Sequence, residues 1–514
     1  MDDKIIVTNR GALQAKYGAA GYREIVRAVA ALSAADKRRG IVTRLVAIDD
    51  RAQMKRCRGK AVTDRKSPQQ NKRAIDAVFK ALDPDYLLIL GSIDVIPHQD
   101  VRNAAYEAGN DDDKCAYGDL PYACDAPYAT DAAKFVGPTR VVGRLPDLTG
   151  AKKPAYLIRL LQAAAGYKSR APADYAPYFG LSTRTWRKST AMSLDEIFGN
   201  NTRLRLAPPS GPSHPASALR SKSHFINCHG AESDPTFYGE DARSMPPSLT
   251  TRALRGKVSN GTVVAAECCY GAQLYDSVTL ALDMPICQQY LGTGAYGYFG
   301  STTIAYGPAD ENGSADLIGQ YFLLEILEGA SIGRAALAAR QRFVAQTGQM
   351  DPIDLKTLAQ FCLYGDPSVH PVELPTPTRI PPSVEAGEAR RVARHERRTR
   401  LKATGEFLRQ TKPTASKPAR RKTRSPTVRK ALRNIARRAG IPPSAVFKAF
   451  AVKAGPAAPR PGKKAGAGVG AERYYVVVKK PPARTGTEGL HLGTAVVAKE
   501  AGNRIVGYRV YRQR

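Results

Sequence analysis

The sequence predicts an α/β protein: a mostly parallel sheet flanked by helices, in two α/β halves, with a basic C-terminal appendage. Three observations predict it. Short apolar runs alternate with helical patterns up to about residue 375. The runs are nearly continuously apolar, as strands covered on both faces must be. Beyond residue 375 the composition turns strongly basic.

Strands are expected at 4–7, 41–48, 86–90, 139–142, 224–227, 262–266 and 295–299, each rich in branched or aromatic residues. Helices are expected at 22–32, 71–82, 152–167, 317–327 and 331–347. Arg170-Ala-Pro-Ala-Asp174 breaks a helical stretch and suggests a seam, dividing the body into 1–172 and 173–375. Five prolines between 371 and 382 mark a firmer boundary. Residues 376–426 read as a basic flexible linker, and 427–452 as helical again. Residues 453–471 read as a Gly/Ala/Pro/Lys linker, and 472–514 as a small β unit. Its runs are 474–478, 494–498 and 505–511, with Glu500-Ala-Gly-Asn503 turning a hairpin. The role of this last unit is not legible in the sequence.

Of the net charge of +32, residues 376–514 supply +27, from 34 Lys/Arg against seven Glu and no Asp. The body is therefore near neutral, and the appendage favours polyanions. No apolar run reaches about 18 residues, so no transmembrane helix is expected. The start, Met1-Asp-Asp-Lys-Ile-Ile-Val7, lacks the basic-then-apolar order of a signal peptide. A cytoplasmic protein is the expectation. Eight scattered cysteines without CxxC spacing argue against a disulfide framework or a zinc cage. No metal and no cofactor are called for.

The chemistry concentrates in two runs. His224-Phe-Ile-Asn-Cys228 stops at His229-Gly230, and Gly261-Thr-Val-Val-Ala-Ala-Glu267 stops at Cys268-Cys269-Tyr-Gly271. Thiol chemistry needs a thiolate, a base and donors for an oxyanion. If the two runs are neighbouring parallel strands, His229 and the cysteine pair open on one sheet edge. Gly230 lacks a Cβ, so its N–H can approach a substrate carbonyl and share an oxyanion hole with the nucleophile's N–H. Buried strand-end cysteines are, taken alone, more often inert packing.

Four further segments carry a resemblance. They are Asp85-Tyr-Leu-Leu-Ile-Leu-Gly-Ser-Ile-Asp-Val-Ile-Pro97, Thr139-Arg-Val-Val-Gly-Arg-Leu-Pro146, Gly300-Ser-Thr-Thr-Ile-Ala-Tyr-Gly307 and Tyr364-Gly-Asp-Pro367. With His229-Gly230 and Glu267–Ala272, this ordered set resembles the gingipain family of caspase-like cysteine peptidases. The resemblance implies a two-halved caspase-like fold, protein or peptide substrates, His229 as general base and a cysteine nucleophile. Cys269 fits the Cys-x-Gly spacing of the caspase signature; Cys268 fits the Cys-x-x-Gly of some relatives. The resemblance also implies that Glu267, Ser301 and Thr302 border the substrate, Glu267 as an acidic wall favouring a basic side chain. Glu267 could equally hydrogen-bond backbone. Asp366 is expected to cap a turn and take no catalytic part.

In the appendage, residues 431–450, with Ile435-Ala-Arg-Arg-Ala-Gly-Ile-Pro-Pro-Ser444 at their centre, resemble the helix-turn-helix of the Lac-repressor family. That resemblance implies DNA binding, with Ser444, Ala445 and Lys448 towards the major groove and Arg433, Arg437 and Arg438 near phosphates. Two functions follow: a cysteine endopeptidase with a nucleic-acid-targeting tail, or a DNA-binding regulator whose body is a scaffold or sensor. The oligomeric state is not legible.

Overall fold

The computed structural model describes residues 2–241, 244–373, 384–419, 425–453, 472–481, 490 and 492–514. The apolar runs of the body pair into one ten-stranded sheet. Its order is Thr43–Ala47, Lys4–Thr8, Tyr86–Leu90, Val142–Leu145, Phe361–Tyr364, Gly297–Ser301, Val263–Ala266, Ser223–Asn227, Tyr178–Thr183, Leu204–Ala207. Every neighbouring pair is parallel except Phe361–Tyr364 with Gly297–Ser301. Two parallel blocks of opposite direction thus meet at one antiparallel seam. The late strand Phe361–Tyr364 completes the first block, with Tyr364 opposite Arg144. The halves expected at 1–172 and 173–375 therefore share a single sheet.

Alternate residues of each strand feed two cores, one on each face. Ile226, Val264, Ala266 and Tyr298 pack with helices Arg10–Arg38, Ala155–Ala165 and Ile286–Gly292. Phe225, Val263, Ala265 and Phe299 pack with helices Ala315–Leu327, Ile332–Gln346 and Pro352–Gln360. Coverage on both faces explains the continuous apolar runs. No described helix is long and apolar enough to cross a membrane.

Most expected strands lie within two or three residues of the observed ones. The run expected at 139–142 forms its strand later, at Val142–Leu145. The N–H groups of Thr139 and Arg140 both donate to Ala123 O instead of a strand neighbour. The strand then runs through Arg144, a residue that ends an apolar run in sequence. Arg144 is buried because its guanidinium grips both carboxylate oxygens of Asp119, at 2.8 and 2.6 Å.

The basic stretch departs from expectation. Most of the supposed flexible linker is a helix, Val384–Thr411, followed by a strand, Thr414–Pro418. Its cations meet an acidic edge of the first block. Arg394 donates to Asp3 at 2.8 Å and to the carbonyls of Asp2 and Asp83, while Arg397 and Arg398 pair with Asp85 and Asp83. Parts of the expected linkers, 376–383, 420–424 and 454–471, lie outside the described residues.

The helix-turn-helix is also corrected. Its first helix forms at Pro426–Arg438, and Gly440 turns the chain at φ 70°. No second helix follows, because Lys448–Lys453 is a strand whose Phe450 is buried in a sheet core. A six-stranded antiparallel sheet results, ordered Tyr306–Gly307, Arg504–Gln513, Thr494–Ala501, Arg473–Lys479, Lys448–Lys453, Thr414–Pro418. Val428, Leu432, Ile435 and Ala436 of the helix pack on Tyr475, Val477, Val496 and Ala498. The appendage is therefore one α/β unit, tied to the body through Tyr306–Gly307. The hairpin expected at Glu500–Asn503 forms, with Ala501 opposite Arg504.

Between body and appendage lies a buried cation, Lys356. It pairs with Asp111 at 2.7 Å and Asp113 at 3.0 Å, all three nearly or fully shielded from solvent. Removing one partner of such a group leaves uncompensated buried charge. Lys356→Met is expected to lower stability by about 3–5 kcal/mol, read as the urea midpoint against the unchanged protein.

Candidate functional site

Strands Ser223–Asn227 and Val263–Ala266 pair in parallel, with Ile226 opposite Ala266. Parallel strands end on the same edge. Three residues beyond that pair, His229 and Cys269 reach matching positions on neighbouring chain ends. Gly230 permits the approach: a Cβ there would lie 2.0 Å from the Cys269 carbonyl oxygen and 3.5 Å from Cys268 Cβ.

His229–Gly230 continue as one strand of a small antiparallel sheet with Thr236–Tyr238 and Pro247–Thr250. That hairpin returns Glu240 to the histidine, where its Oε2 lies 3.1 Å from His229 Nε2. Thr185 donates to the same oxygen. Trp186 packs edge-on against the imidazole, with ring centroids 4.5 Å apart. Burial pushes the Glu240 carboxyl up, but the hydrogen bond and charge of His229, the Thr185 hydroxyl and Arg512 outweigh it, and the group sits below its ordinary value. A carboxylate there accepts the Nε2 proton and leaves Nδ1 as the acceptor nitrogen. His229 Nδ1 is buried and has no hydrogen-bond partner among the described residues.

The two cysteines diverge. Cys268 turns into the core, its Sγ 4.0 Å from Ile226 O, and burial pushes its thiol well up. Cys269 faces the other way. Its Sγ accepts from the Ala305 N–H at 3.2 Å and lies 3.6 Å from Ala305 O. Burial pushes this thiol up to about 12. The next residue, Tyr270, turns the chain sharply at φ 55°, a region non-glycine residues rarely adopt. Its N–H donates to Thr303 O and its hydroxyl donates to Asp113 at 2.8 Å, which holds the turn.

The final strand, Arg504–Gln513, ends against these residues. Gln513 lies opposite Tyr306 and Arg512 opposite Gly307. Arg514 N–H donates to Ala305 O at 3.1 Å, and Cys269 N–H donates to Arg514 O at 3.0 Å. The Arg514 side chain is fully buried. Its Nη1 donates to Glu267 and its Nη2 to Asp316 Oδ2 at 2.6 Å, with the guanidinium 5.1 Å from the Trp186 ring centre. Asp316 stands in the first turn of helix Ala315–Leu327 and also accepts from Asn227 Nδ2 at 3.3 Å. Burial and the Asp316 carboxylate push Glu267 well up, against the pull of Arg514. A Cβ at Gly307 would lie 1.8 Å from Arg514 Nη2, so a side chain there would displace the guanidinium.

His229, Gly230 and Cys269 therefore lie on adjacent chain ends at one sheet edge, Glu267 meets Arg514 beside them, and Cys268 faces inward. Ser301 and Thr302 do not join them through their hydroxyls. Ser301 Oγ donates to Thr303 O at 2.9 Å, and Thr302 Oγ1 to Gln360 O at 3.2 Å and to Tyr117 O. The same segment serves through the main chain of Ala305 and the bare Cα of Gly307. Arg433, Arg437, Arg438 and Ser444 are exposed on the appendage, but Ser444 lies in a turn. Lys448 is in a strand, paired with Glu107 at 2.7 Å. Asp366 accepts from Ser368 N–H at 3.0 Å, a local turn, and from Lys4 Nζ at 2.6 Å.

Glu240, Asp316, Trp186 and Arg514 have no local motif, so sequence reasoning misses them. The acid at 240 had one available signal, a hairpin-length return after His-Gly. Among the described residues, His98, Asp119 and Cys362 bring donor atoms within 4.8 Å of one another. Arg144 already neutralises Asp119 there, and burial lowers His98 to about 4.

No protein-family model matches the chain, and no curated protein matches it. A solved structure described as "Structure of Protease" is similar over 99% of this chain and 96% of that one, at 14% identity and a TM-score of 0.47.

Burial holds the thiols of Cys124, Cys269 and Cys362 at about 12. An unfolded thiol ionises near about 8.5. Above that pH the unfolded chain loses protons that the folded chain keeps, so stability falls as pH rises from about 8.5 towards 12. Urea midpoints measured across that window are expected to drop steadily.

Proposed function

We propose that the protein is a cysteine endopeptidase that hydrolyses peptide bonds through Cys269 and His229. The observation that supports this most is the pairing of roles at one edge. His229 has Nε2 tethered to Glu240 and Nδ1 without a hydrogen-bond partner among the described residues, in register with a cysteine whose N–H donates to a main-chain oxygen of Arg514. Cys268, turned into the core, fits the nucleophile role less well.

The reaction follows from these groups. The Cys269 proton passes to His229 Nδ1 as Sγ bonds to the substrate carbonyl carbon. The N–H of Cys269 and that of Gly230 receive the developing oxyanion. The C–N bond breaks, the departing amine takes the proton from His229, and a thioester remains. Water then attacks the thioester as His229 takes its proton, the C–S bond breaks, and the acid leaves with the thiol restored. Glu240 is a positioning residue that steadies the imidazolium. The substrate lies extended along Tyr306–Gly307, strand added to strand.

A fluorogenic peptide library with Arg, Lys, Asp and aromatic residues before the scissile bond tests this. Cys269→Ala is expected to abolish turnover, and His229→Ala to lower kcat by about 10²–10⁴-fold. Cys268→Ala is expected to keep it. Glu240→Gln is expected to lower kcat more than it changes KM and to move the pH profile. Turnover that survives Cys269→Ala rejects the assignment.

A second reading is a DNA-binding regulator whose body does no chemistry. Arg429, Lys430, Arg433, Arg437 and Arg438 are all exposed on helix Pro426–Arg438, which favours a polyanion partner. Duplex DNA binding to the Cys269→Ala protein is then expected to weaken steeply between about 50 mM and about 200 mM salt. Reversing Arg433, Arg437 and Arg438 to Glu should remove it. Binding that ignores both changes rejects a role for this helix.

A further inference from the structure

Independently of the peptidase reading, we infer that the appendage carries a binding site for a single-chain amphiphile, a medium-length hydrocarbon chain ending in an anionic head.

The site is a cavity of about 510 Å³ lined by helix Pro426–Arg438 and by the segment that leads into strand Lys448–Lys453. It arises where a second helix fails to form. After Gly440 the chain turns, with Ala445 N–H donating to Pro442 O at 2.9 Å, and then enters the strand. Leu432 and Tyr475 line the cavity from the core beneath the helix, and both are buried in that core. Ala445, Phe447 and Ala449 only half cover it. Alanine at two of these three positions leaves space that a larger side chain would fill. Val446 also lines the cavity and is 72% exposed, the most exposed large apolar side chain among the described residues. A hydrocarbon chain laid here takes this apolar surface out of water together with its own.

The rim is cationic. Arg429 and Arg433 line the cavity four residues apart on the helix, so they stand on one face. Both are exposed, and neither pairs with a carboxylate among the described residues. Arg433 Nε reaches the Arg429 carbonyl at 3.5 Å. The helix Pro426–Arg438 contains no acidic residue. Lys448, a third cation of the lining, is already held by Glu107 at 2.7 Å. Like charges at this helical spacing repel. An anion between the two guanidinium forks removes that repulsion and accepts from both. An ammonium head would add a third positive charge at the same rim.

Head and chain thus have separate, adjoining partners. Arg437 and Arg438 are as exposed and as basic, but neither lines the cavity. A nucleic acid draws on the cations alone and makes no use of an apolar cavity. An amphiphile uses two of the cations and the cavity together, which favours it as the occupant of this place.

Isothermal titration of the full-length protein with hexanoate, octanoate and decanoate, each below its micellar range, tests the inference. Affinity is expected to rise about fourfold per added CH₂ until the cavity is full. 1-Octanol and octylamine are expected to bind at least about tenfold more weakly than octanoate. Octyl phosphate in place of octanoate distinguishes a phosphate head from a carboxylate; tight binding of either supports the site. Ala445→Trp, which fills the cavity, is expected to lower octanoate affinity at least about tenfold. Should that variant not fold, Arg429→Gln with Arg433→Gln alters only the exposed helix face and is expected to bring octanoate down to the level of 1-octanol. Affinity that ignores chain length, octylamine binding as tightly as octanoate, or octanoate binding unchanged in the folded variants overturns the inference. Tighter binding of the acidic peptide acetyl-Glu-Leu-Glu-Glu-Leu-amide than of decanoate also overturns it and assigns the groove to a protein partner.

Discussion

Everything at the site depends on one register: Ile226 opposite Ala266 in two parallel strands. A shift by one residue would turn each strand's side chains to the other face of the sheet. His229 and Cys269 would then no longer stand level with each other at the sheet edge. The register is held because both strands are buried on both faces, so a slip would exchange two complete cores. Gly230 and Tyr270 finish the job locally. One lacks the Cβ that would strike Cys269, and the other takes a left-handed turn that its hydroxyl bond to Asp113 sustains.

Buried charge ties distant chain segments to this frame. Lys4 holds Asp36 and Asp366, Arg144 holds Asp119, Lys356 holds Asp111 and Asp113, and Arg514 holds Glu267 and Asp316. Each group joins residues far apart in sequence, and each is costly to break because a lone buried charge remains. Such pairs add specificity of arrangement as much as stability. The loop carrying Asp111 and Asp113 shows the connection to function. Asp113 accepts from the Tyr270 hydroxyl and the Ile304 N–H, so this loop braces the turn after Cys269 and the segment leading into Tyr306–Gly307.

Much of the appendage was hidden for a physical reason. A run of Arg and Lys reads as solvated until an acidic surface is known to face it, and Asp3, Asp83 and Asp85 supply that surface from the other end of the chain. The helix at Pro426–Arg438 was legible from its apolar spacing. Lys448–Lys453 became a strand because a sheet edge was free to receive it, which local propensity does not record. The final hairpin was legible as a hairpin, but not that its last residue bonds to Cys269 and Ala305. Nothing in Tyr511-Arg-Gln-Arg514 indicates that two carboxylates wait for its last side chain.

The sequence by itself determined the α/β class, the main strands and the two chain ends that carry His229 and Cys269. Apolar runs and their terminators are local signals, and the sheet edge follows once those strands are parallel neighbours. Tertiary structure alone decided that Cys268 turns into the sheet core while Cys269 packs against Ala305, that Glu240 reaches the imidazole, and that Asp316 and Glu267 both meet Arg514. These depend on which face a side chain takes and on which distant element meets it, and both are settled by packing across the whole chain.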